Sequence, residues 1–330
     1  MSRPSPAAAK PAFLITIDTE GDDLWSRPQA IETLNSRFLA RFQHLCEDFG
    51  FRPTWLVNHE MANCPTFQAF GKEVLRRGTG EIGMHLHAWN CPPVIPLTDD
   101  DHHHQPFLIE YPAEIIEAKI RHMTDLLHAR FECAVVSHRA GRWALDATYA
   151  QLLSRYGYGV DCSVTPHVSW VQAMGAPNGH GGADYRNFPE LPYWMDLDHI
   201  DRAGNSPLLE LPVTVLPGPL QRKLPFAHST PGLRRWAWRR EPPLFWLYPD
   251  GTNLRHMLTL VDEAVKSRRP CIELVLHSSE LMPGGSPLFG DEAAIEGLYS
   301  DLHLLFCSIA PRFVGRTLAE FRQSWRESAH

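Results

Sequence analysis

The chain has 330 residues, of which 44% are hydrophobic and 21% are charged, and its formal net charge is −7 at pH 7. This composition is that of a globular protein with a large core, and the length allows either one α/β barrel or two smaller domains. No apolar run approaches the roughly eighteen residues that a membrane helix needs. The negative charge provides no basic field for nucleic acid or an anionic membrane, so we expect a neutral or small-molecule partner.

The N-terminus and the cysteines indicate a cellular compartment. The first residues, MSRPSPAAAKPAF, lack the apolar stretch of a secretory signal. The seven cysteines are odd in number and form no CxxC pair, unlike a disulfide framework. Cys91, Cys162 and Cys271 have no neighbouring histidine placed as the base of a nucleophile, so we expect buried thiols there. Together these features favour a cytoplasmic protein.

Short apolar runs rich in β-branched residues alternate with longer stretches of helical periodicity. The predicted strands are 12–18, 53–58, 81–87, 133–139, 158–164, 208–215 and 271–277. The predicted helices include 31–50, 112–130, 145–156 and 252–268. Strands that alternate with helices predict a parallel sheet, and seven such strands with covering helices predict a barrel.

Three segments fall outside this alternation. The interval 172–250 is rich in Gly, Pro and Trp, and we interpret it as a long excursion over one barrel mouth within a single domain, 1–330. Inside it, LRRWAWRREPPLFW (233–246) is interpreted as a loop helix packed on the barrel rather than a surface for sugar or lipid. DDDHHHQ (99–105) is interpreted as a solvated loop rather than a second metal site.

Polar residues lie at or near the ends of the predicted strands. Asp18 ends the first strand, Arg139 the fourth and His277 the last, and Asp161 lies within the fifth. In a parallel barrel the C-terminal ends of all strands lie at one mouth, where such folds build their chemistry. The sequence therefore predicts that these side chains share one site.

His85 and His87 end the third strand and lie two residues apart. Side chains two apart on a strand point to the same side, so both imidazoles can face one ion, and Asp18 and Glu20 share this relation. Two imidazoles and a carboxylate suit Zn²⁺ or another divalent transition metal, with positions left for water and substrate. An isolated H-x-H pair is also compatible with two buried, hydrogen-bonded histidines. Its position opposite IDTEGDD favours the metal.

Six segments carry a family resemblance. They are TIDTEGD (16–22), PTWLVN (53–58), EIGMHLH (81–87), SHRAGRW (137–143), VDCSVTP (160–166) and LVLHSSE (274–280). In this order and spacing, over roughly residues 12–280, the chain resembles the polysaccharide deacetylase family, the NodB-homology domain of carbohydrate esterase family four. The resemblance implies a distorted (β/α)7 barrel and metal-dependent removal of an N-acyl group from an amino sugar.

The resemblance also implies roles for the acidic residues after the first strand. Family members usually carry two adjacent aspartates, a base and a metal ligand, but Thr19 occupies the second position here. A variant of the family spaces the pair by one residue, which makes Asp18 the base and Glu20 the ligand. Asp22 and Asp23 remain rivals for the ligand position.

Roles for the later motifs follow in the same way. The family's metal histidines usually lie four residues apart, whereas the fourth residue after His85 is Trp89, so His87 takes the second position. Arg139 matches the arginine that orients the catalytic aspartate, and Asp161 matches the acid that holds that arginine.

His277 matches the family's general acid. Candidate substrate contacts near the predicted mouth are Trp89, Asn90, Trp170, Tyr185, Ser278 and Glu280.

The predicted protein is a metal-dependent carbohydrate deacetylase with one divalent ion, most simply Zn²⁺. Its predicted substrate is an amino sugar, such as a cytoplasmic precursor of a surface polysaccharide. Two alternatives stay open: a non-catalytic carbohydrate-binding barrel that has lost the metal, and a metal-dependent amidohydrolase for a small non-sugar amide.

Overall fold

The computed structural model describes residues 10–223 and 241–328. Within these ranges the strands are β1 (Ala12–Thr19), β2 (Thr54–Val57), β3 (Glu81–Leu86), β4 (Ser137–Ala140), β5 (Val160–Asp161), β6 (Tyr193–Trp194), β7 (Leu209–Glu210), β8 (Val215–Pro217), β9 (Leu244–Trp246), β10 (Cys271–His277) and β11 (Val314–Gly315). The α-helices are α1 (Leu39–Asp48), α2 (His59–Asn63), α3 (Pro65–Arg77), α4 (Asp101–His104), α5 (Ala113–Phe131), α6 (Ala147–Arg155), α7 (Pro219–Lys223), α8 (Leu254–Lys266), α9 (Glu292–Ile309) and α10 (Leu318–Ser328). Short 3-10 turns occur at Leu24–Ser26, Leu34–Arg37, Leu108–Glu110, Gly141–Trp143 and Ser278–Leu281.

The main sheet curls into a distorted barrel. Its described strands run in the order β10-β1-β2-β3-β4-β5-β7, and all of these neighbours pair in parallel. β6 pairs antiparallel with β7, and β11 pairs with the start of β1. Between β7 and β10 the closure is irregular, with Val275 N–H donating to the Leu247 carbonyl at 3.0 Å and Glu273 N–H donating to the Thr214 hydroxyl at 2.8 Å. The predicted α/β barrel of seven parallel strands is confirmed.

Two apolar layers flank the sheet because side chains alternate between its faces. The barrel interior holds a small cluster that includes Leu14, Leu56, Val160, Cys162 and Leu209. Leu318 and Phe321 of α10 join this cluster, and the N–H of Leu318 donates to Thr54 at the start of β2. The helix α10 therefore covers the N-terminal end of the barrel, which leaves the C-terminal end for the site.

The helices cover the outer face of the sheet through apolar stripes. In α8 the buried residues are Met257, Leu260, Val261 and Ala264, which recur at the three- and four-residue spacing of one helical face. Burying such a side chain contributes roughly 1.5–3 kcal/mol. No helix among the described residues is long and apolar enough to cross a membrane.

Three interpretations of local structure need correction. The predicted helix 31–50 is a 3-10 turn followed by the shorter α1. The interval 172–250 is not wholly an excursion, because β6 and β7 belong to the main sheet. In the segment 233–246, residues 233–240 lie outside the described residues, and the end forms β9 rather than a helix.

The polar run 99–105 is also partly ordered. It contains the short helix α4, and the carboxylate of Asp100 accepts the N–H of His103 at 2.9 Å. Among the described residues, the side chains that come together as a metal site lie elsewhere.

Candidate active site

Glu20, His85 and His87 meet at the C-terminal end of the barrel. His87 Nε2 lies 2.9 Å from Glu20 Oε2 and 3.0 Å from His85 Nε2, and His85 Nε2 lies 3.4 Å from the same Glu20 oxygen. All three side chains are at least nine-tenths buried. Three donor atoms of the types that bind divalent transition metals therefore converge on one point.

The protein orients both imidazoles. The Nδ1 of His85 lies 3.1 Å from the Arg139 carbonyl, so Nδ1–H donates there and the lone pair of Nε2 faces the cluster. The His87 ring lies against Gly141, where an added Cβ would be only 2.7 Å from His87 Nδ1 and 2.7 Å from the Leu86 carbonyl. A glycine is therefore needed at position 141 to make room for this ring.

The protonation of the cluster suits a cation. Burial raises the pKa of Glu20, but the hydrogen bonds with His85 and His87 outweigh it and hold the pKa below its ordinary value. Burial lowers the pKa of His87, against the opposing effect of Glu20. The preferred state is thus an ionised carboxylate beside neutral imidazole, which is the state that binds metal. By this test, the residues fit a divalent ion.

The rival acids lie apart from this cluster. The carboxylate of Asp22 accepts the N–H groups of Leu34 at 2.8 Å and Asn35 at 3.0 Å. Asp23 precedes the 3-10 turn at Leu24–Ser26 in a left-handed backbone conformation. The structure therefore brings Glu20, rather than Asp22 or Asp23, to the histidines.

Asp18 lies beside the cluster in a buried ionic group. Arg139 Nη1 donates to Asp18 Oδ1 at 2.6 Å, while Arg139 Nη2 donates to Glu273 Oε1 and, at 2.8 Å, to the hydroxyl of Thr16. Burial raises the pKa of Asp18, but the charge of Arg139 outweighs it and holds the pKa below its ordinary value. Burial raises the pKa of Glu273 to about 7, against the effect of Arg139. Asp18 is therefore ionised at neutral pH.

The expectation that Asp161 holds Arg139 is wrong. Asp161 Oδ1 lies 2.6 Å from His138 Nδ1, and the carboxylate also accepts the N–H of Ser163 at 2.9 Å. Asp161 and His138 are register partners on neighbouring strands, so both point to the outer face of the sheet. Arg139 is one residue further and points into the barrel, where Glu273 takes the position expected for Asp161.

His277 faces Asp18 across the site. The two residues are register partners on β10 and β1, and His277 Nε2 lies 3.8 Å from Asp18 Oδ2. On its other side, His277 Nδ1 lies 3.6 Å from Glu280 Oε2. Burial lowers the pKa of His277, but Glu280 outweighs it and raises the pKa to about 9. His277 is therefore an imidazolium at neutral pH.

A cavity of about 620 Å³ opens onto these groups. Asp18, Glu20, His85, His87 and His277 all line it. The other lining residues include several tryptophans: Trp25, Trp89, Trp143, Trp170 and Trp246. Two of the predicted substrate contacts, Trp89 and Trp170, thus reach the cavity. The volume lies within the range of roughly 300–1,000 Å³ that suits a small-molecule ligand.

Three other predicted substrate contacts are not on the cavity surface. Tyr185 is fully buried and donates to the Trp143 carbonyl. Ser278 is fully buried, and its hydroxyl bonds the backbone of Glu20 at 3.1 Å. Glu280 is fully buried beside His277. All three side chains make internal contacts rather than line the cavity, so these predictions are corrected.

Asn90 is likewise not among the residues that line the cavity; it contacts Glu60. Glu60 Oε2 accepts the side-chain N–H of Asn90 at 2.9 Å, and Glu60 Oε1 accepts the N–H of Gly21 at 3.2 Å and the side chain of Asn58. Gly21 directly follows Glu20, and Asn90 lies three residues after His87. The carboxylate of Glu60 therefore links the segment that follows Glu20 to the segment that follows His87.

We expect Glu60→Ala to weaken metal binding by about 10-fold or more, because partners that hold ligands in place typically contribute 10–100-fold. Competition with a chromophoric chelator measures the affinity. Glu73→Ala, which removes an exposed glutamate paired with Arg76 on α3, serves as the control and should leave the affinity unchanged. Equal metal affinity in wild type and Glu60→Ala would contradict this role.

Sequence reasoning missed three residues of the site: Glu273, Glu60 and Arg142, whose side chain also lines the cavity. For Glu273 a signal existed, since an acid lies in the middle of the apolar run CIELVLH. Glu60 looks in sequence like an ordinary acid in the first turn of a helix, and Arg142 like a loop arginine. Their roles depend on which loops the barrel brings together.

No family model matches the chain, and no curated protein matches it in sequence. Solved structures do match. A candidate polysaccharide deacetylase from Mycobacterium smegmatis matches with a TM-score of 0.54 and 13% identity, over 99% of this chain and 95% of that one. A candidate glycoside hydrolase/deacetylase from Parabacteroides distasonis matches with a TM-score of 0.62 and 12% identity, over 98% of this chain and 73% of that one.

The fold is that of the polysaccharide deacetylases. The 4-alpha-glucanotransferase of Thermococcus litoralis also matches this chain, with a TM-score of 0.53 and 12% identity, over 96% of this chain and 40% of that one. Because proteins with different names share this barrel, the side chains of the site must decide the activity.

Proposed function

We propose that the chain is a metal-dependent hydrolase that removes an N-acyl group from an amino sugar. The observation that carries the proposal is the convergence of Glu20, His85 and His87 in the same cavity as Asp18 and His277. The deacetylase-type fold and the tryptophan-rich cavity support a carbohydrate substrate, since tryptophan rings offer apolar faces of the kind that pack against sugars. The same donor set would also serve a small non-sugar amide.

Glu20, His85 and His87 would hold one divalent ion, for which Zn²⁺ suits the two imidazoles and the carboxylate. When bound, such an ion supplies a Lewis acid that polarises an acyl carbonyl and makes water more acidic. The remaining chemistry belongs to the side chains of the protein.

Asp18 is the general base of the proposed reaction. Oδ1 is held by Arg139, which leaves Oδ2 to take a proton from the attacking water. The oxygen of that water forms the new bond to the acyl carbon. Because Arg139 fixes the carboxylate and is itself fixed by Glu273, Asp18 stays aimed at the cavity.

His277 is the general acid. The bond between the acyl carbon and nitrogen breaks as His277 Nε2 donates its proton to the departing amine, which is a poor leaving group unless protonated. Nε2 is 3.8 Å from Asp18 Oδ2, too far for a hydrogen bond, so both atoms can engage water or substrate. The products are a carboxylic acid and the free amino sugar.

The alkaline limb of the pH profile should report His277, which must be protonated to act. In the wild type we expect kcat/KM to fall as pH rises through about 9, the pKa of His277. Glu280→Gln removes the carboxylate that raises this pKa, so the limb should move to lower pH by about 1–3 units. If the alkaline limb of Glu280→Gln lies at the same pH as that of the wild type, His277 is not the group that titrates there under the influence of Glu280.

The proposed function is tested with protein purified without a histidine tag or metal column. After reconstitution with Zn²⁺, acetate release is measured from N-acetylglucosamine, its oligomers and its phosphorylated derivatives, beside small non-sugar acetamides. Release from a sugar supports the proposal, and release from non-sugar amides alone supports the amidohydrolase. Stoichiometric metal with no release from either would overturn both, and saturable sugar binding without turnover would favour the non-catalytic barrel.

A further inference from the structure

Arg142 occupies an unusual backbone position at the rim of the site. It lies in the turn Gly141–Trp143 after β4, with φ at 56° for Arg142 and 62° for Trp143. The left-handed conformation is unfavourable for a residue with a side chain. Its side chain lines the cavity. A strained turn that presents an arginine to a cavity is of the kind found at ligand-binding positions.

The guanidinium of Arg142 is held by neutral groups. Nη1 donates to the Gln105 carbonyl, Nη2 donates to the Met174 carbonyl, and the guanidinium carbon lies 3.9 Å from the centre of the Phe107 ring. Within the described ranges, no carboxylate lies within ion-pair distance of it. A guanidinium has five N–H donors, so this arrangement fixes its orientation and leaves donors for another acceptor.

The surroundings do not neutralise this charge. Burial lowers the pKa of Arg142 to about 10, and the charge of Arg27 acts in the same direction. Glu110 acts in the opposite direction, but its carboxylate accepts the N–H groups of Phe107 at 2.7 Å and Ala176 at 3.1 Å. The guanidinium is still charged at neutral pH, and an anion would relieve its partial desolvation.

Two residues that line the same cavity each carry a buried side-chain nitrogen with no hydrogen-bond partner among the described residues. These nitrogens are Nε1 of Trp89 and Nε2 of Gln105. Trp89 is only 8% exposed, so its N–H is largely withdrawn from bulk solvent. A buried N–H without an acceptor is unfavourable, and a ligand oxygen that accepted from it would remove this cost.

We propose that Arg142, with Trp89 and Gln105, forms an anion-binding subsite, and that the substrate carries a phosphate or carboxylate group beside its scissile amide. The inference rests on the proposed function for the amide, and the subsite itself can be tested separately. Phosphate and carboxylate share the chemistry that a guanidinium and N–H donors recognise. The subsite would select a charged amino-sugar derivative over the neutral sugar.

Binding is measured by calorimetry on chelator-treated, metal-free protein, so that the ion site takes no part. The probes are inorganic pyrophosphate, inorganic phosphate and acetate. We expect saturable binding of at least one probe by the wild type, weakened 10-fold or more in Arg142→Gln. Arg130→Gln, which removes an exposed arginine that contacts Asn63, is the matched control and should bind as the wild type does. Preference for the phosphates over acetate would assign a phosphate, and the reverse a carboxylate.

Trp89→Phe provides a second variant that keeps the ring and removes the N–H. It should weaken binding about 10–100-fold, in line with loss of one hydrogen bond to a charged group. No saturable binding of any probe by the wild type would overturn the inference, as would equal binding by wild type and Arg142→Gln.

The two proposals fail in different ways. Acetate release from phosphorylated and neutral N-acetyl sugars at equal rates, unchanged for both in Arg142→Gln, would retain the proposed function and overturn the subsite. Arginine-dependent anion binding without hydrolysis of any amide would retain the subsite and overturn the proposed function.

Discussion

Replacement of Asp18 by Asn is expected to lower kcat by about 10²–10⁴-fold, the contribution typical of a positioned general base. The amide keeps the shape of the carboxylate but cannot accept the proton of the attacking water. Asp18 is not one of the three clustered donors, so metal content should remain near that of the wild type. Kinetics and elemental analysis of the same preparation measure both quantities.

Asp18→Asn also leaves Arg139 with one carboxylate, that of Glu273. Removing one partner from a buried ionic group typically costs roughly 3–5 kcal/mol, so a lower Tm is expected and circular dichroism must show a folded protein. Asp198→Asn, at an exposed position, is the control and should keep full activity. Full activity in folded Asp18→Asn would remove Asp18 from the role of base.

The double variant His85→Ala/His87→Ala is expected to bind no transition metal, whereas the wild type should bind about one equivalent after reconstitution. The change removes both imidazoles and leaves Glu20 as the one donor of the cluster. Elemental analysis of tag-free protein after dialysis measures the stoichiometry.

Loss of the imidazoles should leave the barrel intact, because β3 keeps its backbone pairing with β2 and β4. His44→Ala, at an exposed position on α1, is the control and should retain the metal. Retention of one equivalent by the double variant would show that the ion binds elsewhere. If each single variant also retains the metal, neither histidine is a required ligand.

Much of the site could be predicted because strand ends are visible in sequence. Asp18, His85, Arg139 and His277 each end an apolar run, and parallel pairing necessarily brings these ends together. The hydrophobic pattern of the sequence therefore indicates where each of these strands ends. The same logic predicted the barrel.

The partner of Arg139 could not be predicted because it depends on register. A shift of one residue exchanges the two faces of a strand, and the pairing of His138 with Asp161 turns both away from Arg139. Glu273 reaches the arginine from a strand near the other end of the chain. The prediction for Tyr185 failed for another reason: an aromatic residue of the core and one at the rim of a cavity look the same in sequence, and Tyr185 is fully buried.

The pairing of β1 with β10 has a consequence for the timing of activity. Asp18 lies on β1 and His277 on β10, which are far apart in the chain, and the two residues meet only through that pairing. Contacts between distant parts of a chain form slowly, since a long loop must close before they stabilise anything. A nascent or truncated chain that lacks β10 would therefore possess the proposed base but not the proposed acid, and the proposed activity would require barrel closure.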